Sequence, residues 1–191
     1  MNEPSIRPFR LPVVGVIGSG AEAHEELATP LGRFLAQAGV HLLTGGGRGT
    51  MESVSRAFAE TPGRRGLVLA ILPCHPDDPA RPKDGYPNEW VEIAIRTHLP
   101  LSGARGTELL SRNHLNVLSS DALIALPGGP GTKSEIELAH RYSKPLVAFG
   151  PTDPAHDPRE SETHELHRVE TIHELASFLR SALGEMPPST R

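Results

Sequence analysis

The stretch Ala125-Leu-Pro-Gly-Gly-Pro-Gly-Thr-Lys-Ser-Glu135 constrains this chain more than any other, because an apolar run ends in a turn almost bare of side chains and a helix follows at once. Asp121-Ala-Leu-Ile-Ala-Leu126 is a short apolar run of the kind that fills a strand buried on both faces. Pro127 has no N–H and stops the sheet ladder. Gly128, Gly129 and Gly131 leave no Cβ between backbone and ligand, Pro130 stiffens the turn, and a helix is expected from Thr132 to about Tyr142. Free N–H groups and the positive end of the helix dipole then face whatever lies above the loop, which favours an anion.

Two further turns repeat this design. Val40-His-Leu-Leu-Thr-Gly-Gly-Gly-Arg-Gly-Thr-Met51 ends an apolar strand in Thr44, Gly45, Gly46, Gly47 and Gly49 before a helix over 51–59. Val13-Val-Gly-Val-Ile-Gly-Ser-Gly20 ends another in Gly18, Ser19 and Gly20. Glycine-rich turns at the C-terminal ends of several strands point to one crevice, the edge at which open parallel sheets bind ligands. Gly18-Ser-Gly20-Ala-Glu-Ala23 also fits a dinucleotide fingerprint, but that fingerprint needs an acidic residue about 20 positions on to hold the ribose. Leu43-Thr44-Gly45 stands there instead, so NAD is not expected.

The order reads strand 11–17, helix 23–38, strand 40–43, helix 51–59, strand 67–72, a proline-rich excursion 73–90, strand 91–96, helix 107–119, strand 122–126, helix 132–142, strand 145–149 and a closing helix 171–182. Alternating strands and helices imply an α/β fold, a Rossmann-like doubly wound parallel sheet with helices on both faces. The 191 residues suit one domain with a sizeable core, over 10–150, followed by a mobile acidic loop 151–170 and the closing helix to 183. No apolar run is long enough for a bilayer, the start lacks a signal-peptide block, and the single cysteine, Cys74, excludes an internal disulfide, so a cytoplasmic protein away from the membrane is expected.

A formal charge of −4 argues against a broad nucleic-acid footprint, and so does the low aromatic content, 4 %, for base stacking. Arginine is the main cation, and its planar fork suits phosphate. The excursion from Pro73 to Asn88 is too rich in proline for regular structure and reads as a lid or an idle loop, with Tyr86 and Trp90 beside it to pack or to stack on a flat ring. His164 and His167 with Glu165 have the spacing for a metal ligand pair, but nothing else completes a set, so no metal is expected.

Ser111-Arg-Asn-His-Leu-Asn-Val-Leu-Ser-Ser-Asp-Ala-Leu-Ile-Ala-Leu-Pro-Gly-Gly-Pro-Gly-Thr-Lys-Ser-Glu135 resembles the signature of the SLOG superfamily, which includes the Lonely Guy phosphoribohydrolases and the molybdenum cofactor carrier proteins. The PGGxGTxxE string is intact, Thr44-Gly-Gly-Gly with Met51-Glu52 resembles the second glycine loop, and the resemblance runs from about Val13 to Gly150. It implies binding of a small phosphorylated ligand, a pterin or a nucleoside monophosphate, by Gly18, Ser19, Gly20, Thr44, Gly45, Gly46, Gly47, Arg112, Asn113, Pro127, Gly128, Gly129, Gly131, Thr132 and Glu135. It also implies a homodimer or homotetramer, and the apolar residues Leu109, Leu110, Leu115, Val117, Leu118, Ile136 and Leu138 are expected to divide between core and interface.

In the enzymes of that superfamily an arginine followed by lysine precedes the PGG, and a glutamate closes the motif. The resemblance sets Arg112 and Glu135 as the catalytic pair of an N-glycosidic hydrolase, whereas Asn113 replaces the lysine. Asn88 to Pro100, Asn116 to Ser120 and Ser143 to Val147 look closer to the carrier branch, so the first expectation is a carrier of molybdopterin or a related phosphorylated ligand, with the phosphoribohydrolase second and a single-stranded DNA binder third. Thr132-Lys-Ser-Glu135 also has the spacing of a helix capping box, which gives Thr132 a capping role and offers one to Glu135.

Overall fold

A computed structural model of the chain describes residues 10–151 and 166–184. Strands and helices alternate along the described residues: β1 (Val13–Ile17), α1 (Glu25–Ala38), β2 (His41–Thr44), α2 (Thr50–Ala59), β3 (Val68–Leu72), β4 (Cys74–His75), β5 (Asp78–Pro82), β6 (Ile93–Arg96), a 3-10 turn (Gly103–Arg105), α3 (Asn113–Ser119), β7 (Ala122–Ala125), α4 (Pro130–Arg141), β8 (Leu146–Phe149), β9 (Arg168–Val169) and α5 (Ile172–Leu183). The main sheet is parallel throughout, in the order β6-β3-β2-β1-β7-β8-β9. From β1 the chain steps outward through β2 and β3 to β6, then returns to the other side of β1 and steps outward again through β8 to β9. The direction of winding therefore reverses between β1 and β7, and a crevice opens at the C-terminal ends of those strands.

Register sets the height of that crevice. Ile17 pairs with Ala125, so β1 and β7 end level. Leu126 N–H donates to Ile17 O at 2.9 Å and Ser19 N–H to Pro127 O at 3.1 Å, which carries the contact past the last residues of both strands into the turns.

Alternate residues of each strand feed opposite cores, as a sheet covered on both faces requires. Val14, Val16, Leu42 and Ile124 pack with Leu31, Leu35, Val54, Phe58, Leu175 and Leu179 under α1, α2 and α5. Ile17, Leu123, Ala125 and Ala148 pack with Val117, Ile136, Leu138 and Ala139 under α3 and α4.

Four boundaries differ from expectation. The helix expected over 107–119 begins only at Asn113, because the backbone before it is tied to another strand-like segment: Leu101 N–H donates to Leu110 O at 3.3 Å and Arg112 N–H to Leu101 O at 3.1 Å. The proline-rich excursion is not irregular throughout, since β4 and β5 form an antiparallel hairpin in which Pro79 and Pro82 sit on a strand with a free edge. The end of the mobile acidic loop expected over 151–170 is ordered instead, since Arg168–Val169 pair with β8 as β9, a strand too short for a periodic signal, while 152–165 lie outside the described residues. Finally, α4 starts at Pro130 and not at Thr132, since proline at the first helical position costs no hydrogen bond and has its φ already set.

Gly32 in α1 marks where α1 and α2 cross most closely: a Cβ built there would lie 2.6 Å from Val54 O and 2.8 Å from Ala57 Cβ. Alanine favours a helix interior over glycine by about 1 kcal/mol. Here the clash is with backbone, which cannot rotate away, and overpacking of this kind costs about 1–3 kcal/mol. Gly32→Ala is therefore expected to destabilise the fold despite its better helix propensity, as a lower urea midpoint with unchanged m-value.

Candidate functional site

The three glycine turns meet at the winding reversal, but they do different work. In the first, Ser19 is used up structurally. Its Oγ accepts from Ala21 N–H at 3.2 Å and Glu22 N–H at 2.9 Å, its carbonyl accepts from Thr50 N–H at 2.9 Å, and its own N–H is bonded to Pro127. Gly18 is bare because Thr50 is close: a Cβ there would lie 2.8 Å from Thr50 Cγ2. Gly20 has only Met51 Cε near it, at 3.7 Å from a built Cβ.

In the second turn, Thr44 Oγ1 accepts from Gly46 N–H at 3.1 Å, and Gly46 turns the chain with φ 74°. Asn88, beyond the hairpin, straps this turn from outside. Its N–H donates to Gly46 O and its Nδ2 to Gly47 O, both at 2.8 Å. Gly45 is where a side chain comes nearest, because a Cβ would run into the guanidinium of Arg112.

The third turn leads directly into the N-terminus of α4. Gly129 precedes the helix without any side-chain cap, and Thr132 sits inside the first turn. The capping-box expectation is thereby corrected: with the helix starting at Pro130, neither Thr132 nor Glu135 is placed to cap it. The capping box of this chain is at α5, where Thr171 Oγ1 accepts from Glu174 N–H at 3.2 Å and Glu174 accepts from Thr171 N–H at 2.9 Å. Thr132, 2 % exposed, instead turns its Oγ1 under Gly128, where that oxygen has no hydrogen-bond partner. The N–H groups of Gly131 and Thr132 lie in the first turn, where a helix offers no acceptor of its own.

Arg112 stands between the second turn and α4. It is only 4 % exposed, and its Nε and Nη1 have no hydrogen-bond partner. Its nearest acid is Glu135, 8 % exposed, with Nη1 to Oε1 at 3.8 Å, close enough to attract but too long for a hydrogen bond. Glu135 Oε1 accepts instead from Asn116 Nδ2 at 3.1 Å. Burial pushes the Glu135 carboxyl above the usual glutamate range, and Arg112 and Asn116 only partly offset it. A buried cation with unmet donors beside an acid that is reluctant to ionise is a combination that clusters at functional sites.

The other expected residues fall in two groups. Pro127, Gly128, Gly129 and Gly131 join Arg112, Thr132 and Glu135 at the reversal. Asn113 ties α3 to α4: its Nδ2 donates to Ser134 Oγ at 3.1 Å, next to Gly106, while its Oδ1 has no hydrogen-bond partner. Asn116 was not anticipated, although it lies four residues after Arg112 and hence on the same helical face. His164 and Glu165 lie outside the described residues, and His167 stacks on Phe178 with ring centroids 6.2 Å apart.

Comparison with known proteins agrees with this fold. The profile of the SLOG cluster4 family matches residues 11–176. An uncharacterized protein of Archaeoglobus fulgidus is 36 % identical over 160 residues, covering 82 % of this chain and 92 % of the relative. The molybdenum cofactor carrier protein of Chlamydomonas reinhardtii has a similar structure, with TM-score 0.68 and 28 % identity over 92 % of this chain and 100 % of its own. The molybdenum cofactor binding protein of the phototrophic bacterium Rippkaea orientalis gives TM-score 0.65 and 30 % identity over 91 % of this chain and 98 % of its own. With the doubly wound sheet, the three glycine turns and a family match over most of its length, this chain belongs to the SLOG cluster4 family.

Proposed function

We propose that this protein is a carrier that holds a small phosphorylated ligand, a pterin such as molybdopterin or a related nucleotide, without breaking a bond in it. The observation that carries the reading is Arg112: a guanidinium 4 % exposed, pressed on Gly45, with two donor groups unmet. A phosphate oxygen satisfies such donors with short charge-assisted hydrogen bonds. Thr132 Oγ1 and the free first-turn N–H groups of α4 offer further donors to the same anion. Each turn then has its part. The third turn and Arg112 hold the phosphate, the first turn lines the floor, and the second turn brings backbone close enough for Arg112 to reach the crevice.

These residues fit the phosphate end of molybdopterin, and its metal-loaded form, the molybdenum cofactor, would be carried as cargo. The similarity to two proteins named for the molybdenum cofactor supports the same class of ligand. No acidic residue stands at the end of β2 to hold a dinucleotide ribose, which leaves NAD a poor fit.

A second reading is favoured by one observation, the raised pKa of Glu135 next to Arg112. In a phosphoribohydrolase acting on nucleoside 5′-monophosphates, Glu135 would take up or give up a proton at the sugar and Arg112 would steady the phosphate. Release of free base from a nucleoside 5′-monophosphate by the purified protein, abolished by Glu135→Gln, would establish it over the carrier reading.

No helix among the described residues is long and apolar enough to cross a membrane, and we place the protein in the cytoplasm. We also take it to be a homodimer or homotetramer. Of the apolar residues expected to divide between core and interface, Val117, Ile136 and Leu138 are buried, while Leu109, Leu110, Leu115 and Leu118 are exposed, Leu109 at 92 %.

Three outcomes follow from this account. Arg112→Ala is expected to weaken binding of ribose 5-phosphate at least about tenfold by calorimetry, the scale of one lost hydrogen bond to a charged group. For Glu135, a folded pKa above the unfolded value means that the native state binds the proton more tightly, so its ionisation costs stability as pH rises from the usual glutamate range through the raised pKa. Melting curves should accordingly show Glu135→Gln gaining on the wild type as pH is raised across that window, and an equal or opposite trend would contradict the assignment. Light scattering should give a mass of at least two chains, which falls for Leu109→Glu if that leucine is at the interface.

A further inference from the structure

The second turn has an aromatic neighbour that the phosphate does not need. A Cβ built at Gly47 would lie 3.1 Å from both Cε1 and Oη of Tyr86 and 2.9 Å from Met51 Cε. The same Met51 methyl is 3.7 Å from a Cβ built at Gly20, so it spans the floor between the first and second turns. Tyr86 is brought there by a fixed path. Lys83 N–H donates to Pro73 O at 3.0 Å and closes the β4-β5 hairpin, Tyr86 N–H donates to Lys83 O at 3.1 Å, and Asn88 then straps the chain to Gly46 and Gly47. The chain has only 2 tyrosines and 1 tryptophan, so an aromatic ring at this edge is not the by-product of an aromatic-rich surface.

We propose that Tyr86 and Met51 form a subsite for a flat heteroaromatic ring carried by the ligand, an inference that rests on the phosphate-anchored reading above. The layout supplies the distance. β2, β1 and β7 are consecutive in the sheet, so the strands that lead into the turns bearing Gly47 and Gly128 are two strand spacings apart, about 9–10 Å. That span separates a phosphate from a ring in a compound the size of a mononucleotide or a phosphorylated pterin, and it is too short for a dinucleotide laid along the same edge. Gly47 stays bare because any side chain would occupy the place of the tyrosine ring and the methionine methyl. Stacking on tyrosine and contact with a polarizable thioether are tolerant of ring identity, so the subsite selects for a flat ring rather than for one base.

The test is calorimetric titration with three probes: ribose 5-phosphate, which has no ring system; the carbocyclic analogue of AMP, which has no glycosidic bond to lose; and the phosphate ester of 6-hydroxymethylpterin. At least one ring-bearing probe should bind the wild type about tenfold more tightly than ribose 5-phosphate, the scale of one stacking contact. Tyr86→Leu should remove that advantage while leaving ribose 5-phosphate binding unchanged, and Tyr86→Phe should keep it. An advantage that survives Tyr86→Leu, or none in the wild type although ribose 5-phosphate binds, overturns the ring subsite and leaves the phosphate anchor standing. Failure of ribose 5-phosphate to bind at all would remove the anchor and the subsite together.

Discussion

A guanidinium taken out of water with part of its hydrogen-bonding capacity unmet is costly, and the C-terminal edge of this sheet is organised around that cost. Arg112 reaches its place only because Gly45 offers no side chain, and it stays there beside an acid that touches it at 3.8 Å without a hydrogen bond. Had the pair existed for stability alone, a closer contact or an apolar replacement would serve better. Asn116 holds Glu135 at its remove and leaves the arginine donors free. The arrangement thus leaves Arg112 Nε and Nη1 without a partner within the protein itself, which is the basis of the anion-carrier proposal.

The winding reversal supplies the space in which this happens. β1 and β7 end level, and the turns that follow them are stitched together by the bond from Ser19 to Pro127. Glycine has three distinct tasks along this edge. At Gly18 it admits Thr50, at Gly45 it admits Arg112, and at Gly128 it admits the hydroxyl of Thr132. None of these depends on mobility. The first and second turns are held by hydrogen bonds of Ser19, Thr44 and Asn88, so their conformation is fixed within the protein itself.

Much of this was legible in the chain itself. Apolar runs that stop at glycine clusters identified strands buried on both faces, and the run at Leu126 to Thr132 identified a strand, a glycine turn and a helix. What escaped was governed by contacts between distant segments. The start of α3 is set by backbone bonds to Leu101, which no local pattern records. The proline count hid a short hairpin, because prolines at a free edge leave room for a ladder on the other side. The Thr132 to Glu135 spacing matched a capping box, yet Pro130 claimed the first helical position and turned both side chains to other uses. Asn113, which the family resemblance set in the site, also donates to Ser134 on α4, a contact that no local pattern records. Arg112 and Asn116 share a helix face by simple spacing, and that signal was available.

The most direct measurement is a crystal structure of the protein with ribose 5-phosphate. The account predicts phosphate oxygens within hydrogen-bonding distance of the Arg112 guanidinium, at the first turn of α4. A phosphate bound away from Arg112, with the guanidinium drawn into a direct hydrogen bond with Glu135, would contradict it.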